Sequence, residues 1–263
     1  MINFFAILTI VKFRIREFLY EYNYSILAPL ISNLLFVIIF STIDRYYSLS
    51  LDGITFIEFL VPGLIVMTVA QESFDNPSVS IINSKQIGSF DDFLLAPLSR
   101  IEIFISYIVS QIIIGLILGL INFIILSYFI SFNYFSIFSF TYYLTLVIIF
   151  FASIGSVVGF LAYRWDTQST VSSFFISPIN FLSGTFFSIN ALPENFRVIL
   201  IYNPYYYIIS FFRDSFYIKT ELNLYINFII IMFVSLIVKM IRICYRKLKC
   251  MIFGELEEES RNF

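Results

Sequence analysis

The stretch Pro178–Asp214, PINFLSGTFFSINALPENFRVILIYNPYYYIISFFRD, contains two apolar runs that are broken by Gly184, Pro193 and the pair Asn203 and Pro204. Neither run predicts a clean membrane span, because glycine and proline interrupt regular helices. Hydrocarbon holds no water for freed backbone groups, so broken segments occur there only against other protein, around a wet cavity or at the interface. The pattern therefore predicts a segment that leaves and re-enters the membrane edge.

The composition of the whole chain indicates a membrane protein. Hydrophobic residues make up 59% of the sequence and charged residues 13%, and the mean hydropathy is +0.89. A soluble domain needs a more polar surface than this composition supplies. The 263 residues leave room for one helical bundle with short loops, so we expect an all-α polytopic membrane protein with a single transmembrane domain over residues 1–263.

Six apolar windows are long enough to cross about 30 Å of hydrocarbon, which takes about 20 helical residues. The windows are residues 25–43, 56–74, 101–130, 142–161, 171–189 and 222–243. An even number of spans puts both termini on one side of the membrane. Lysine and arginine are retained in short cytoplasmic segments, and most of the 16 basic residues fall on the side of the termini. Both termini, including the tail 244–263, are therefore predicted to be cytoplasmic, and the broken segment is predicted to face outward.

Residues 1–22 predict an amphipathic helix at the inner interface. Charged residues lie inside the apolar run and no small-residue cleavage site follows, which argues against a signal peptide. At about 100° per residue the large apolar side chains form one narrow arc with charged flanks. The arc consists of Phe4, Ile7, Leu8, Val11, Ile15, Phe18 and Leu19. We expect the basic side to face anionic membrane lipid, and contact with a cytoplasmic partner is an open alternative to a simple anchor.

Two predicted spans carry glycines four residues apart, Gly115 and Gly119 in the third span and Gly155 and Gly159 in the fourth. This spacing lets helix backbones approach closely. The contact could lie within one subunit or between subunits, and packing within one subunit is the commoner case.

Residues that carry enzymatic chemistry are scarce. The chain has no histidine, which is the commonest general base and metal ligand, and no GxxxxGK[ST] phosphate-binding loop. Cys244 and Cys250 are too few for a zinc site. The sequence therefore predicts no cofactor, no metal and no nucleic-acid partner, and it disfavours a membrane enzyme.

An ion-coupled secondary transporter or channel is the alternative function that the composition leaves open. Such proteins normally keep an ionisable residue near the bilayer midplane. The acidic residues Asp44, Glu58, Glu72 and Asp75 are expected toward the ends of the spans instead. The driving force for transport is therefore expected to come from another protein.

Residues 76–100 predict a cytoplasmic loop between the second and third spans. Within it, the sequence predicts a short helix that ends at a proline. The residues concerned are Phe90, Asp91, Asp92, Phe93, Leu94, Leu95, Ala96 and Pro97. An exposed apolar helix in such a loop can bind a partner, pack on the neighbouring bundle or dip into the lipid head groups, and these interpretations stay open.

Three motifs together resemble one family. FLVPGLIVMTV at Phe59–Val69, FDDFLLAPLSR at Phe90–Arg100, and the broken segment from Phe181 to Asp214 occur in order at predicted span boundaries. In this order they resemble the ABC-2-type permeases, the six-span membrane subunits of bacterial ABC exporters. The resemblance covers most of the chain.

The resemblance implies a multi-pass subunit of the bacterial inner membrane that moves a lipid, glycan or drug-like substrate outward. Two copies of the permease, as a homodimer, would work with separate cytoplasmic ABC ATPases. The ATPases would seat the coupling helix Phe90–Pro97 and contact Arg164 and Asp166 in the next cytoplasmic loop. The outward re-entrant helices would involve Gly184, Leu192, Pro193, Asn203, Pro204 and Arg213.

The pair Arg213 and Asp214 closes the broken segment. It could act as a gate or contact a charged substrate. A buried arginine beside a carboxylate is more often a structural clamp, and we favour the clamp.

Overall fold

The computed structural model describes residues 4–47, 50–51, 54–90, 99–129, 135–187, 193–194, 197 and 203–217. The α-helices in this part are α1 (Phe4–Tyr20), α2 (Ala28–Tyr47), α3 (Phe56–Ile87), α4 (Arg100–Leu126), α5 (Ile137–Leu161), α6 (Trp165–Val171), α7 (Ser177–Phe181) and α8 (Pro204–Tyr217). Asn23–Leu27 and Ser172–Ile176 form π-helical turns, and Ser127–Phe129 forms a 3₁₀ turn. Strands β1 (Ser50–Leu51) and β2 (Ile54–Thr55) pair in antiparallel register, Ser50 with Thr55 and Leu51 with Ile54. The predicted all-α class is confirmed, with this small hairpin as an addition.

Four helical stretches of the described part are long and apolar enough to cross a membrane. They are Asn23–Tyr46, Phe56–Ile87, Glu102–Phe129 and Ile137–Leu161. These stretches coincide with the first four predicted spans. Residues 171–187 of the fifth predicted span, 171–189, fall on the end of α6, the π-helical turn, α7 and the bends after it, and they form none of these long helices. Residues 188–189 lie outside the described residues. The sixth predicted span, 222–243, and the tail 244–263 lie outside the described residues.

Reciprocal hydrogen bonds fix the starts of α3 and α4. At α3, Thr55 Oγ1 accepts from the backbone N–H of Glu58 at 3.4 Å, and Glu58 Oε2 accepts from the N–H of Thr55 at 3.0 Å. Ser99 and Glu102 form the same arrangement at α4, at 3.4 and 2.5 Å. Each capping box satisfies two backbone donors that a helix start leaves unpaired.

Helix α3 is longer than the sequence predicts. Residues 76–87, expected in a loop, continue the helix to Ile87. The pair Asn76 and Pro77 favours a break, because a proline inside a helix removes one backbone donor and crowds the carbonyl four residues earlier, at a cost of about 3 kcal/mol. Burial of Pro77, Ile81 and Ile82 within the bundle offsets this cost and stabilises the extra turns. Gly88, with φ of 82°, ends the helix in the left-handed conformation that glycine adopts without strain.

The core lies between α3 and α5. Gly155 and Gly159 of α5 face α3, and a Cβ at Gly155 would stand 2.3 Å from the carbonyl oxygen of Phe74. Gly115 and Gly119 of α4 face α5 in the same way. Both glycine pairs therefore contact neighbouring helices of the same subunit, which is the commoner of the two alternatives that the sequence left open.

Helix α1 buries only part of the predicted arc: Ile7, Val11 and Phe18 belong to the arc, whereas Ile10 and Arg14 do not. Its buried side chains are Ile7, Ile10, Val11, Arg14 and Phe18. Three members of the arc are instead exposed, namely Phe4, Leu8 and Leu19. Arg14, predicted on a charged flank, is only 4% exposed. The reason is that its guanidinium finds polar partners on α3, so α1 turns this side toward the bundle.

Candidate functional site

The two segments that the resemblance assigns to ATPase contact lie at the same end of the bundle. The ring of Phe90, just after α3, makes an edge contact with Phe160 near the end of α5, with 6.2 Å between ring centres. Arg164 and Asp166 follow α5 and are exposed. The rest of the predicted coupling helix, Asp91–Pro97, lies outside the described residues.

Lys85 joins the ends of α3 and α5. Its Nζ donates to the carbonyl oxygens of Gly159 at 2.9 Å, Phe160 at 2.6 Å and Ala162 at 3.1 Å. The last carbonyls of a helix lack intrahelical partners, and positive charge is favourable there. The ammonium also lies 4.8 Å from the centre of the Tyr163 ring. The sequence analysis did not single out Lys85, although a lysine in the last turn before a glycine is a signal for a helix end.

A second bridge runs from Gln86 to the loop after α5. The indole Nε1 of Trp165 donates to Gln86 Oε1, and Gln86 Nε2 donates to the carbonyl of Tyr163 at 3.5 Å. Ile87 beside it is 80% exposed, and Trp165 is 40% exposed. Two loops distant in sequence therefore form one continuous patch. We call it the loop surface: Ile87, Phe90, Arg164, Trp165 and Asp166.

At the opposite end of α3, Arg213 fastens the segment that is predicted to be re-entrant. Its Nε donates to the carbonyl of Phe59 at 3.1 Å, and its Nη2 donates to the carbonyl of Gly184 at 3.0 Å. Gly184 has φ of 78°, which favours glycine. The hydroxyl of Tyr217 donates to the carbonyl of Glu58 at 2.7 Å. These contacts are those of a structural clamp. Their acceptors are backbone carbonyls, and the guanidinium also interacts electrostatically with the adjacent Asp214 carboxylate that the clamp prediction named.

The pair Asn203 and Pro204 starts helix α8. Pro204 occupies the first helical position, where its missing N–H costs nothing. Asn203 Oδ1 accepts from the backbone N–H of Tyr205 at 3.0 Å, which satisfies one donor of the first turn. Pro193 is exposed, and Leu192 lies outside the described residues.

Sequence analysis missed a polar network inside the bundle. Asp75 Oδ1 accepts from Gln168 Nε2 at 2.6 Å and from Ser172 Oγ at 3.1 Å, and Asp75 Oδ2 accepts from Gln71 Nε2 at 2.7 Å. Gln71 Oε1 in turn accepts from Asn180 Nδ2 at 3.1 Å. We call these five residues the polar seam. It ties α3 to α6, to the π-helical turn and to α7.

The sequence contained a signal for the polar seam in each of two segments, one in α3 and one around α6. Gln71 and Asp75 are four residues apart, as are Gln168 and Ser172, so each pair lies on one helix face. Asp75 and the neighbouring Glu72 were expected near the end of a span. They lie inside α3 because that helix continues to Ile87.

Long apolar helices, buried polar contacts between them and loops gathered at one bundle end define a multi-pass membrane protein. The chain belongs to the ABC-2 type transporter family, which matches residues 6–217. The predicted resemblance is thereby confirmed. Members of this family are membrane components of ABC transporters, which pair with an ATPase, so the chain is a transport permease rather than an enzyme.

Curated relatives support the same class. The chain is similar to the inner membrane transport permease YadH of Escherichia coli K12, with 28% identity over 202 residues that cover 77% of this chain and 79% of the relative. Permeases of the same name from Escherichia coli O157:H7 and Shigella flexneri match with the same identity, 28%, and the same coverage of 77% and 79%.

Proposed function

We propose that this chain is the membrane subunit of an ATP-driven exporter that moves a lipid, glycan or drug-like substrate outward. A separate cytoplasmic ABC ATPase would bind the loop surface together with the predicted coupling helix Phe90–Pro97. Family membership supports the class. The observation that carries the proposal is the joining of the two predicted contact segments by Lys85 and Gln86.

The loop surface has the properties that a coupling contact needs. It presents apolar side chains to solvent, with Ile87 80% and Trp165 40% exposed, and Arg164 and Asp166 add both signs of charge beside them. Polar and charged groups around an apolar centre are typical of specific interfaces. Burial of this patch against an ATPase would remove the apolar side chains from water.

Movement of the loop surface would be passed to the bundle core. Lys85 fastens the surface to the ends of α3 and α5, and the glycine contacts hold these two helices closely together. Close-packed helices move as units between discrete arrangements. Moving a two-state equilibrium from 1:99 to 99:1 requires about 5.5 kcal/mol of differential binding, which closure of a nucleotide-bound ATPase dimer would supply.

We further infer a homodimer in a bacterial inner membrane, with both termini cytoplasmic and with membrane lipid around the bundle. The distribution of basic residues supports this orientation. Helix α2 carries exposed apolar side chains that suit lipid or a second copy of the chain. They include Ile31, Leu35, Ile38 and Ile39.

An ion-coupled carrier is the second candidate. Glu72 and Asp75 lie inside a helix long enough to span the membrane, and ionisable residues in such positions often mark ion pathways. This alternative predicts transport that depends on an ion gradient and proceeds without nucleotide.

Purification of the full chain with its cognate ABC ATPase tests the proposal. We expect Ile87→Asp to abolish the dependence of ATP hydrolysis on this subunit, because a carboxylate would disrupt the apolar contact. Tyr128→Asp is the matched control, since Tyr128 is 90% exposed and follows the far end of α4. Equal hydrolysis with wild-type chain and with Ile87→Asp would refute the assignment of the loop surface.

A further inference from the structure

Helix α3 has a weak point at Pro77. Proline has no backbone N–H, so the carbonyl of Ser73, four residues earlier, loses its helical donor. Beside the proline, Ser78 Oγ donates to the carbonyls of Phe74 and Asp75, both at 2.9 Å. Serine hydroxyls that bond such carbonyls often bend helices, and proline is a common cause of kinks. Helix α3 can therefore bend here.

The other interior proline of α3, Pro62, is reinforced from outside. It removes the helical donor for the carbonyl of Glu58. The hydroxyl of Tyr217 on α8 donates to that same carbonyl at 2.7 Å, which repairs the break in the helical hydrogen bonds. At Pro77 the contacts from α1 go to the residues around the break instead.

Arg14 of α1 bridges the weak point. Its Nη2 donates to Oδ1 and to the carbonyl oxygen of Asn76, at 2.6 and 3.2 Å, and its Nη1 donates to Ser80 Oγ. Asn76 precedes Pro77 and Ser80 follows it, so one guanidinium holds both sides of the weak point. The guanidinium also lies 5.0 Å from the ring centre of Tyr107 on α4. Because its donors form a rigid planar fork, it fixes the spacing of the groups that it binds.

Helix α5 has a flexible point at the same level. Gly155 is followed by Ser156, and Gly/Ser pairs are a recurrent cause of helix kinks. A Cβ at Gly155 would stand 2.3 Å from the carbonyl oxygen of Phe74, so the pair lies opposite the turn of α3 that precedes Pro77. Beyond this level, Lys85 joins the end of α3 to the end of α5. The two helix ends therefore form one unit, which carries the loop surface.

We propose that Pro77 is a hinge and that Arg14 is the latch that locks it. The moving part comprises residues 78–87 of α3 and 157–161 of α5, with the loop surface at its end. While Arg14 holds both sides of the hinge, the loop surface keeps a fixed angle to the spanning helices. Displacement of α1 from α3 breaks these bonds and lets the moving part tilt. The use of this motion in coupling rests on the proposed function, whereas the hinge and its latch require no ATPase.

Hydrogen exchange of the purified full-length chain in detergent tests the latch. We expect Arg14→Met to speed exchange in residues 78–87 about tenfold, because hydrogen bonds from a charged donor to both sides of the hinge are lost. Residues 60–70 should exchange as in wild type. Arg16→Met is the matched control, since Arg16 is exposed on the same helix, and it should behave as wild type. Unchanged exchange of residues 78–87 in Arg14→Met would overturn the proposal.

Pro77→Ala distinguishes a hinge from a general loss of packing. Alanine supplies the N–H that the carbonyl of Ser73 lacks, and it favours a regular helix. The effect of Arg14→Met on the exchange of residues 78–87 should therefore be much smaller when residue 77 is alanine. An equal effect of Arg14→Met in both backgrounds would overturn the assignment of the hinge.

Ser80→Ala keeps the test valid if Arg14→Met misfolds. It removes the acceptor beyond the hinge and leaves Arg14 and Asn76 in place. The matched control is Ser84→Ala, because Ser84 Oγ donates to the carbonyl of Ser80, at 2.9 Å. We expect faster exchange of residues 78–87 in Ser80→Ala than in Ser84→Ala, and equal exchange would contradict the latch. These measurements contain no ATPase, so a negative result would count against the latch and leave the proposed function standing.

Discussion

The guanidinium of Arg213 stacks on the ring of Phe59, with its central carbon 3.5 Å from the ring centre, while its Nε donates to the carbonyl of the same residue. Helix α8 is thereby fastened to the start of α3. The planar guanidinium provides both the stacking face and the second hydrogen bond to Gly184, and a lysine ammonium cannot reproduce this geometry.

Arg213→Lys should therefore destabilise the protein. At least one buried carbonyl would lose its donor, at a cost of about 1–3 kcal/mol. We expect a clear fall in the Tm of the purified chain in detergent. Arg45→Lys, at an exposed position, is the matched control, and an equal Tm for both variants would show that Arg213 is no clamp.

Lys85→Met should loosen the connection between α3 and α5. Three carbonyls at the end of α5 lose a charged donor, and a hydrogen bond to a charged group contributes about 1.5–3 kcal/mol. Faster hydrogen exchange in residues 159–166 is the expected result. The same substitution at the exposed Lys12, Lys12→Met, is the control and should leave the exchange of residues 159–166 unchanged. Unchanged exchange in Lys85→Met would contradict the role of Lys85 as a link.

The polar seam predicts coupling between Asp75 and Gln168. Asp75→Asn replaces one acceptor oxygen by a donor, so the amide of Gln168 or of Gln71 loses its partner. Asp75→Asn and Gln168→Ala should each lower stability by about 1–3 kcal/mol. The double variant should lose less than the sum, because both changes break the same hydrogen bond. Additive losses in a thermal-unfolding cycle would show that the two side chains act independently.

Substitution of two helix-contact glycines by alanine should destabilise the protein to different degrees. At Gly155 a Cβ would stand 2.3 Å from a backbone oxygen of Phe74, whereas at Gly115 it would stand 2.8 Å from the side-chain atoms Cγ1 and Cδ1 of Ile148. We expect Gly155→Ala to cost about 1–3 kcal/mol through overpacking and Gly115→Ala to cost clearly less. The comparison of their Tm values is the measurement, and the reverse order would contradict the packing of α3 on α5.

Local patterns predicted much of the fold. Window length placed the first four spans, and glycine spacing predicted the close helix contacts, because both depend on residues near in sequence. The extension of α3 past Pro77 was not predictable, since burial on α5 outweighs the local preference to break. The helix periodicity placed Arg14 on a charged flank. It did not predict the burial of Arg14, because the partners of Arg14 on α3 are set by tertiary packing.

The candidate site was predicted in part. One motif indicated Phe90, and the family resemblance indicated Arg164 and Asp166 by the position of their loop alone. Nothing local shows that Lys85 and Gln86 join these two segments. The polar seam links residues about one hundred positions apart, Asp75 with Ser172 for example. Such pairings follow from the way the helices pack, which residue spacing on each helix alone does not specify.

The central claim is that this permease is driven by a separate ATPase at the loop surface. The most direct measurement reconstitutes the full chain in vesicles, with and without its cognate ATPase and ATP, and follows fluorescent lipid, glycan and drug probes. We predict movement of a probe only when both ATPase and ATP are present, and its loss with Ile87→Asp. Movement by the chain alone, driven by an ion gradient without nucleotide, would contradict the account.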